Sequence, residues 1–119
     1  MTKEIYVHLF HIIIIGSLFL YVGISRENTI SIFYPILLVL GIIIILYHIY
    51  KSYKYIKHGK GYWVNLIHIF LIGPLLIFIG YNKEKTSRKF FELLLLFGFS
   101  SIGYHGYYLF IATHILTFI

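Results

Sequence analysis

The segment Leu9–Ile24, LFHIIIIGSLFLYVGI, decides the fold, because it places a histidine inside an apolar run long enough to cross a membrane. A helix needs roughly 20 apolar residues to cross ~30 Å of hydrocarbon. The segment Leu66–Tyr81, LIHIFLIGPLLIFIGY, nearly repeats the first one 57 residues later, with the histidine and both glycines in the same positions. The two segments therefore predict two related membrane-spanning helices.

The composition argues against a small soluble domain. The chain has 119 residues, of which 60% are hydrophobic and 12% are charged, and its mean hydropathy is +0.87. A soluble domain of this size has too little interior to bury so much apolar surface. Uniformly apolar runs indicate helices rather than the alternating strands of a barrel, so we expect an all-α integral membrane protein. Its four transmembrane helices are expected at about residues 5–24, 30–50, 62–81 and 90–115.

A gap-free alignment of residues 6–54 with residues 63–111 organises these helices. Eighteen of the 49 aligned pairs are identical, and glycine, histidine and tyrosine are among the residue types that recur. We interpret the chain as two tandem helical hairpins, residues 1–54 and 62–119, joined by a basic linker at 55–61. An even number of spans gives both hairpins the same orientation, so their pseudo-twofold axis should run along the membrane normal.

The charged residues indicate a lipid partner. The basic residues flank the apolar segments, so the net charge of +6 is assigned to lipid headgroups rather than to nucleic acid. Five basic residues fall on each side of the membrane, and only the dense loop KSYKYIKHGK (residues 51–60) favours a cytoplasmic N-terminus.

Without cysteine there are no disulfides, thiolate metal sites or cysteine nucleophiles. The four glutamates lie in or next to loops, which argues against a catalytic carboxylate pair; whether the protein is an enzyme is left open.

Four histidines, one in each helix, are expected at a similar depth in the membrane. Each lies about two turns from one end of its helix, which places it roughly 5–10 Å below the same membrane surface. An unpaired imidazole in lipid costs on the order of 1–3 kcal/mol, so each should face a partner inside the protein. These four residues are His11, His48, His68 and His105.

This histidine layer favours a His-ligated cofactor for redox chemistry or electron transfer, and b-type haem is the expected group. His48 and His105 are the preferred axial ligands, because the glycine seven residues before each one leaves room for a porphyrin plane. The other two histidines would be their partners or the alternative ligand pair. In architecture the chain is similar to b-type membrane cytochromes, which hold haem between transmembrane helices. The expected cofactor-binding residues are His48, His105, His11, His68, Gly41 and Gly98.

Other functions stay open beside haem binding. Zinc or copper could replace the haem, since imidazoles suit either ion. The histidines could instead join helices in a cofactor-free assembly subunit of a membrane complex or virion, or in a homo-oligomer. They could also line a proton or ion channel, although the runs IIII at residues 12–15 and 42–45 offer no polar groups in the other leaflet. The polar residues expected to hydrogen-bond to the histidines or to relay protons are Tyr47, Tyr104, His8, Asn65 and Ser101.

Overall fold

All regular secondary structure in the computed structural model is helical. The structure describes residues 3–118, with the side chains of residues 3–113, so the predicted hairpin ends at residues 1 and 119 lie outside the described part. Four helices are long and apolar enough to cross a membrane, which confirms the all-helical prediction with four membrane-compatible helices. They are α1 (Lys3–Asn28), α2 (Phe33–Lys57), α3 (Trp63–Lys85) and α4 (Arg88–Phe118).

Helix α2 continues to Lys57, beyond the end expected for its membrane span at Tyr50. The added turns are rich in lysine and tyrosine, whose long stems lie along a helix while their polar ends reach the water. The ammonium groups of Lys51 and Lys54 lie over tyrosine rings at 5.4–5.6 Å from the ring centres. The helix ends at Lys57, and two residues later Gly59 has a φ of +68°, a left-handed conformation that glycine adopts without steric penalty.

Helices α1 and α3 end in the same kind of turn. Each closes with one 3₁₀ turn, in which a basic residue takes a positive φ, +54° at Arg26 and +55° at Lys83. The hydroxyl groups of Thr29 and Thr86 donate to the carbonyl oxygens of these two residues, each at 2.7 Å. The threonines therefore tie both turns by the same local hydrogen bond, as such short side chains commonly do in turns.

Helices α1 and α3 also contain a π-helical segment that begins at the histidine. The segments are His11–Gly16 and His68–Ile72. In the second one, the backbone N–H of Gly73 donates to the carbonyl oxygen of His68, which is the i→i+5 bond of a π-turn. A π-turn contains one residue more than an α-turn, so every side chain after it is rotated relative to the histidine.

The chain divides into two compact units. One is continuous, Arg26–Phe90, and packs α2 on α3; the other combines α1 up to Ser25 with α4 from Phe91 onward. Lipid is as apolar as a leucine side chain, so in a membrane such helix pairs are held by close packing and polar contacts. The largest fully buried side chains are Phe19, Val22, Phe91 and Leu94 in the first unit and Tyr34, Leu37, Leu76 and Ile79 in the second.

Most of the helix surface is uncovered. In the most apolar window of each of the four helices, between 11% and 33% of the residues are buried. Large apolar side chains such as Ile24, Leu46 and Phe70 are among the exposed ones. Soluble monomers rarely expose continuous apolar surface on this scale, so the outer faces are suited to contact with lipid.

Candidate functional site

Each unit contains one pair of stacked histidine rings. In the first unit, the ring centres of His11 and His105 are 4.1 Å apart and their planes differ by 19°. In the second unit, the ring centres of His48 and His68 are also 4.1 Å apart, with planes that differ by 6°. The structure therefore brings the four predicted histidines together two by two, and each pair joins one histidine that begins a π-segment to one that lies in a regular α-helix.

Three of the four histidines are oriented by their own backbone. Each has its Nδ1 within 2.7–2.8 Å of the carbonyl oxygen four residues earlier. Because a carbonyl oxygen only accepts hydrogen bonds, Nδ1 carries the hydrogen, and the lone pair of the neutral ring lies on Nε2. The donor–acceptor pairs are His11–Val7, His48–Ile44 and His68–Val64.

The fourth histidine, His105, contacts a further histidine of α1. Its Nδ1 lies 2.9 Å from Nδ1 of His8, so one ring donates and the other accepts, according to their tautomers. His8 also stacks against Tyr108, with ring centres 6.2 Å apart and planes that differ by 17°. His8 is only 8% exposed, and its Nε2 has no hydrogen-bond partner among the described residues. The nearest carboxylate oxygen, on Glu4, is 3.7 Å away.

The other predicted polar partners contact the histidines in different ways. The hydroxyl of Ser101 lies 3.4 Å from the carbonyl oxygen of His11, which makes a long hydrogen bond. Tyr47 and Tyr104 meet the ring of the histidine that follows each of them edge to face, at 5.2 and 5.1 Å between ring centres. Asn65 is buried in the second unit, at the position that aligns with His8.

A neighbouring helix occupies the space beside the two glycines that were expected to leave room for a porphyrin. A Cβ atom added to Gly41 would lie 2.7 Å from the carbonyl oxygen of Gly73. A Cβ atom on Gly98 would lie 3.0 Å from Leu20 and 3.1 Å from Phe19. Glycine at such positions lets two helix backbones approach closely, so these contacts are those of a helix–helix seam.

The π-segment brings a third glycine onto the face of α1 that carries the histidine pair. In an unbroken α-helix, Gly16 would lie about 140° around the axis from His11, at ~100° for each of the five steps. In the structure, a Cβ atom on Gly16 would lie 2.7 Å from Ile102 of α4, the helix whose His105 stacks on His11. A uniform helical pitch would separate these residues, and no residue type signals a π-turn.

No metal cluster is apparent in the described part of the chain. Within it, no group of three or more histidine, cysteine or carboxylate side chains could hold a metal ion. His48 and His105, the expected axial ligands, belong to different units, and their joint binding of one haem iron stays a prediction.

No protein-family model, curated protein or solved structure matches the chain. The geometry of the histidine pairs is therefore the main evidence on function.

Proposed function

We propose that the protein is an integral membrane protein in which two histidine pairs form proton-sensitive contacts between helices. The observation that carries the proposal is the stacking of His11 on His105 and of His48 on His68, with the same 4.1 Å between ring centres. Polar contacts contribute to helix association in lipid, where the hydrophobic effect between helices is absent. Two imidazoles in contact, each with a hydrogen-bonded Nδ1, supply such a contact without a cofactor.

Each pair accepts one proton more readily than two. The first proton makes one ring an imidazolium, which lies against the face of a neutral aromatic ring and is attracted to it. A second proton places two positive charges about 4 Å apart, which repel each other by about 4 kcal/mol at an effective dielectric constant of ~20. The unfolded chain has no such repulsion, so putting a second proton on a pair destabilises the folded state relative to the unfolded state.

Tandem duplication of one hairpin is part of this proposal. At the offset of 57 residues, the packing in one unit corresponds to the packing in the other. A Cβ atom on Gly23 would meet Leu95, and a Cβ atom on Gly80 would meet Leu38, which is the corresponding residue. Each unit would then combine the first helix of one hairpin with the second helix of the other. A duplicated hairpin explains why the chain contains two histidine pairs.

The variants His48→Asn and His68→Asn, alone and combined, test the proposed role of the pairs. The assay is reversible unfolding in micelles, followed by circular dichroism between about pH 5.5 and pH 8, the range in which histidines titrate. At neutral pH the double-mutant cycle should give a coupling of about 0.5–1.5 kcal/mol between the two histidines. The acid-induced loss of stability should be smaller in the double variant, whereas His58→Asn, in the exposed loop, should behave as wild type.

Two results would overturn the proposal. One is a coupling of zero between His48 and His68. The other is a wild-type protein whose stability responds to pH no more than that of the double variant.

Haem binding is the second candidate, and the bonds made by Nδ1 favour it. A histidine that ligates a metal usually donates its other ring N–H to a carbonyl or carboxylate, which is the arrangement of His11, His48 and His68. Two rings stacked face to face do not hold one iron between them, because axial ligands approach the iron nitrogen-first from opposite sides. Haem ligation by both members of one pair would therefore require their rings to separate, whereas His48 and His105 belong to different pairs.

An ultraviolet–visible spectrum of the purified protein, oxidised and then reduced with dithionite, tests the haem candidate. A Soret band that is lost in His48→Ala or His105→Ala would establish haem ligation. A colourless protein without metal by elemental analysis would exclude both haem and the zinc or copper alternative in that preparation. Proton flux in proteoliposomes tests the channel alternative in the same way, because a histidine pathway would conduct in wild type and not in the histidine variants.

A further inference from the structure

We infer that the end of α2 and the turn after it bind the headgroups of anionic phospholipids through four lysines, three of which lie over tyrosine rings. The inference rests on the proposed function in one respect only, which is that the helices cross a membrane. It does not depend on the histidine pairs. The four residues, here called the lysine cluster, are Lys51, Lys54, Lys57 and Lys60.

The lysine cluster lies where a helix of this length leaves the hydrocarbon. Helix α2 has 25 residues, which makes it about 38 Å long at ~1.5 Å per residue. The hydrocarbon core is ~30 Å thick, and the headgroups add roughly 5–8 Å on each side of it. The apolar part of α2 ends at Tyr50, so the turns from Lys51 to Lys57 extend into the layer that contains the lipid phosphates.

Two of the ammonium groups lie over the same ring. Those of Lys51 and Lys60 are 5.4 and 5.7 Å from the centre of the Tyr55 ring. Lys60 reaches this ring because the chain folds back after α2, where its backbone N–H donates to the carbonyl oxygen of Tyr55 across 2.8 Å. Attraction to the aromatic ring holds both cations near it, although the two charges repel each other. A bound phosphate would offset that repulsion.

The protein supplies no anion for this purpose. Residues 51–60 contain four lysines and no acidic residue, and none of these lysines forms an ion pair within the described part of the chain. At the other end of the same unit, Glu27 and Glu84 stand next to basic residues in the turns that close α1 and α3. The charge of the lysine cluster is therefore available to a partner from outside the chain.

The lysines of α2 face away from the helix packing. At ~100° per residue, Lys51, Lys54 and Lys57 fall within about 120° of the helix circumference. The buried residues His48 and Ser52 lie outside this arc. Lys54 and Lys57 are exposed, and Lys51 is half-buried beside its tyrosines. This arc is thus accessible to surrounding lipid.

The helix dipole explains only part of the cluster. Cations are favoured near the C-terminal end of a helix, but the effect falls off within the last turn. Lys54 and Lys57 lie in the last turn of α2, whereas Lys51 precedes it and Lys60 follows the helix. A headgroup with a net negative charge accounts for all four lysines. A zwitterionic headgroup carries its own cation, so we expect the cluster to prefer anionic lipid.

The fluorescence of Trp63 reports on the lipids beside the lysine cluster. It is the only tryptophan in the chain, it is 62% exposed, and it begins α3 shortly after Lys60. Bromine on an acyl chain quenches tryptophan on contact. The full chain is placed in phosphatidylcholine vesicles in which the same minor fraction of lipid is either brominated phosphatidylglycerol or brominated phosphatidylcholine. The ratio of the two quenching efficiencies measures the enrichment of anionic lipid.

Wild type should enrich the anionic lipid at least about threefold at ~0.1 M salt, since a lysine near an anionic surface strengthens binding roughly fivefold before screening. The enrichment should largely disappear at about 1 M salt, where the Debye length is only ~3 Å. Replacing three of the four charges should lower it at least about twofold. This variant combines Lys51→Gln, Lys54→Gln and Lys60→Gln.

The matched control removes three lysines at the opposite end of α3 and in the turn after it, and should keep the wild-type ratio. It combines Lys83→Gln, Lys85→Gln and Lys89→Gln. Equal quenching by the two brominated lipids in wild type overturns the inference and leaves the membrane location intact. So does an equal loss of enrichment in both triple variants. If the variants do not fold, a wild-type enrichment that persists at high salt contradicts the inference. Absence of quenching by either lipid refutes the membrane location as well.

Discussion

The substitution Gly80→Ala tests whether α2 and α3 meet through their backbones. A Cβ atom at Gly80 would lie 2.6 Å from the carbonyl oxygen of Tyr34, and 2.7 Å from both Cβ and the backbone nitrogen of Leu38. Ordinary van der Waals contact begins at 3.4 Å, so the shortest of these distances falls 0.8 Å short (3.4 minus 2.6). Two of the three atoms belong to the backbone, and no side-chain rotation can relieve the overlap.

The helices must therefore move apart, and packing energy is lost along the whole contact between them. Forcing extra atoms into a packed seam costs typically 1–3 kcal/mol. A gap of 0.5–1 Å forfeits about a quarter to a half of each dispersion contact across it. We expect Gly80→Ala to lower the free energy of unfolding by about 2–3 kcal/mol, since the shift affects both the backbone contact and the neighbouring apolar side chains.

Gly103→Ala is the matched control, because a Cβ atom there has no neighbour within 4 Å in the described part of the chain. Alanine favours a helix over glycine by up to ~1 kcal/mol, so this variant should equal or exceed wild type in stability. The assay is unfolding in mixed micelles with increasing dodecyl sulfate, followed by circular dichroism. A Gly80→Ala protein within about 0.5 kcal/mol of wild type would refute the close backbone approach.

Three further predictions use the same unfolding assay. Lys83→Gly should stabilise the protein by about 0.5–1 kcal/mol, because φ is +55° at this residue, whereas Lys85→Gly should destabilise it; equal effects would contradict the strain argument. Tyr34→Phe should cost about 1 kcal/mol, since it removes the 3.0 Å hydrogen bond to the carbonyl oxygen of Arg26. Ser52→Ala should be neutral or stabilising, because this buried hydroxyl has no hydrogen-bond partner among the described residues. A decrease of more than ~1 kcal/mol in the free energy of unfolding would show that the hydroxyl does have a partner.

The helical fold was predictable from the sequence because its signal is local. Four apolar runs of membrane-spanning length require four helices, whatever their mutual packing. The turns after α1 and α3 were predictable as short polar linkers, but the positive φ values of Arg26 and Lys83 were not, since neither residue type favours them. Local composition thus locates the helices, and their ends depend on backbone geometry that composition does not encode.

The site was predictable only in part, because its geometry depends on which helices touch. Depth along each helix predicted that four histidines lie at one level, but it could not indicate that His11 meets His105 and that His48 meets His68. His8 was expected to be a polar partner of these histidines, and in the structure its Nδ1 lies 2.9 Å from Nδ1 of His105. Among the described residues, Nε2 of His8 is buried without a hydrogen-bond partner because His8 packs against α4, and the sequence carries no local signal for that packing.

The division into two units has a consequence for biosynthesis. The unit Arg26–Phe90 is continuous, so its helices can pair as soon as α3 has left the ribosome. The other unit joins the two ends of the chain, and the contact between His8 and His105 spans 97 residues. During translation the histidines of α1 therefore lack their partners until α4 has been made. A chain that stops early within α4 would retain one histidine contact and lose the other, so only complete synthesis yields both.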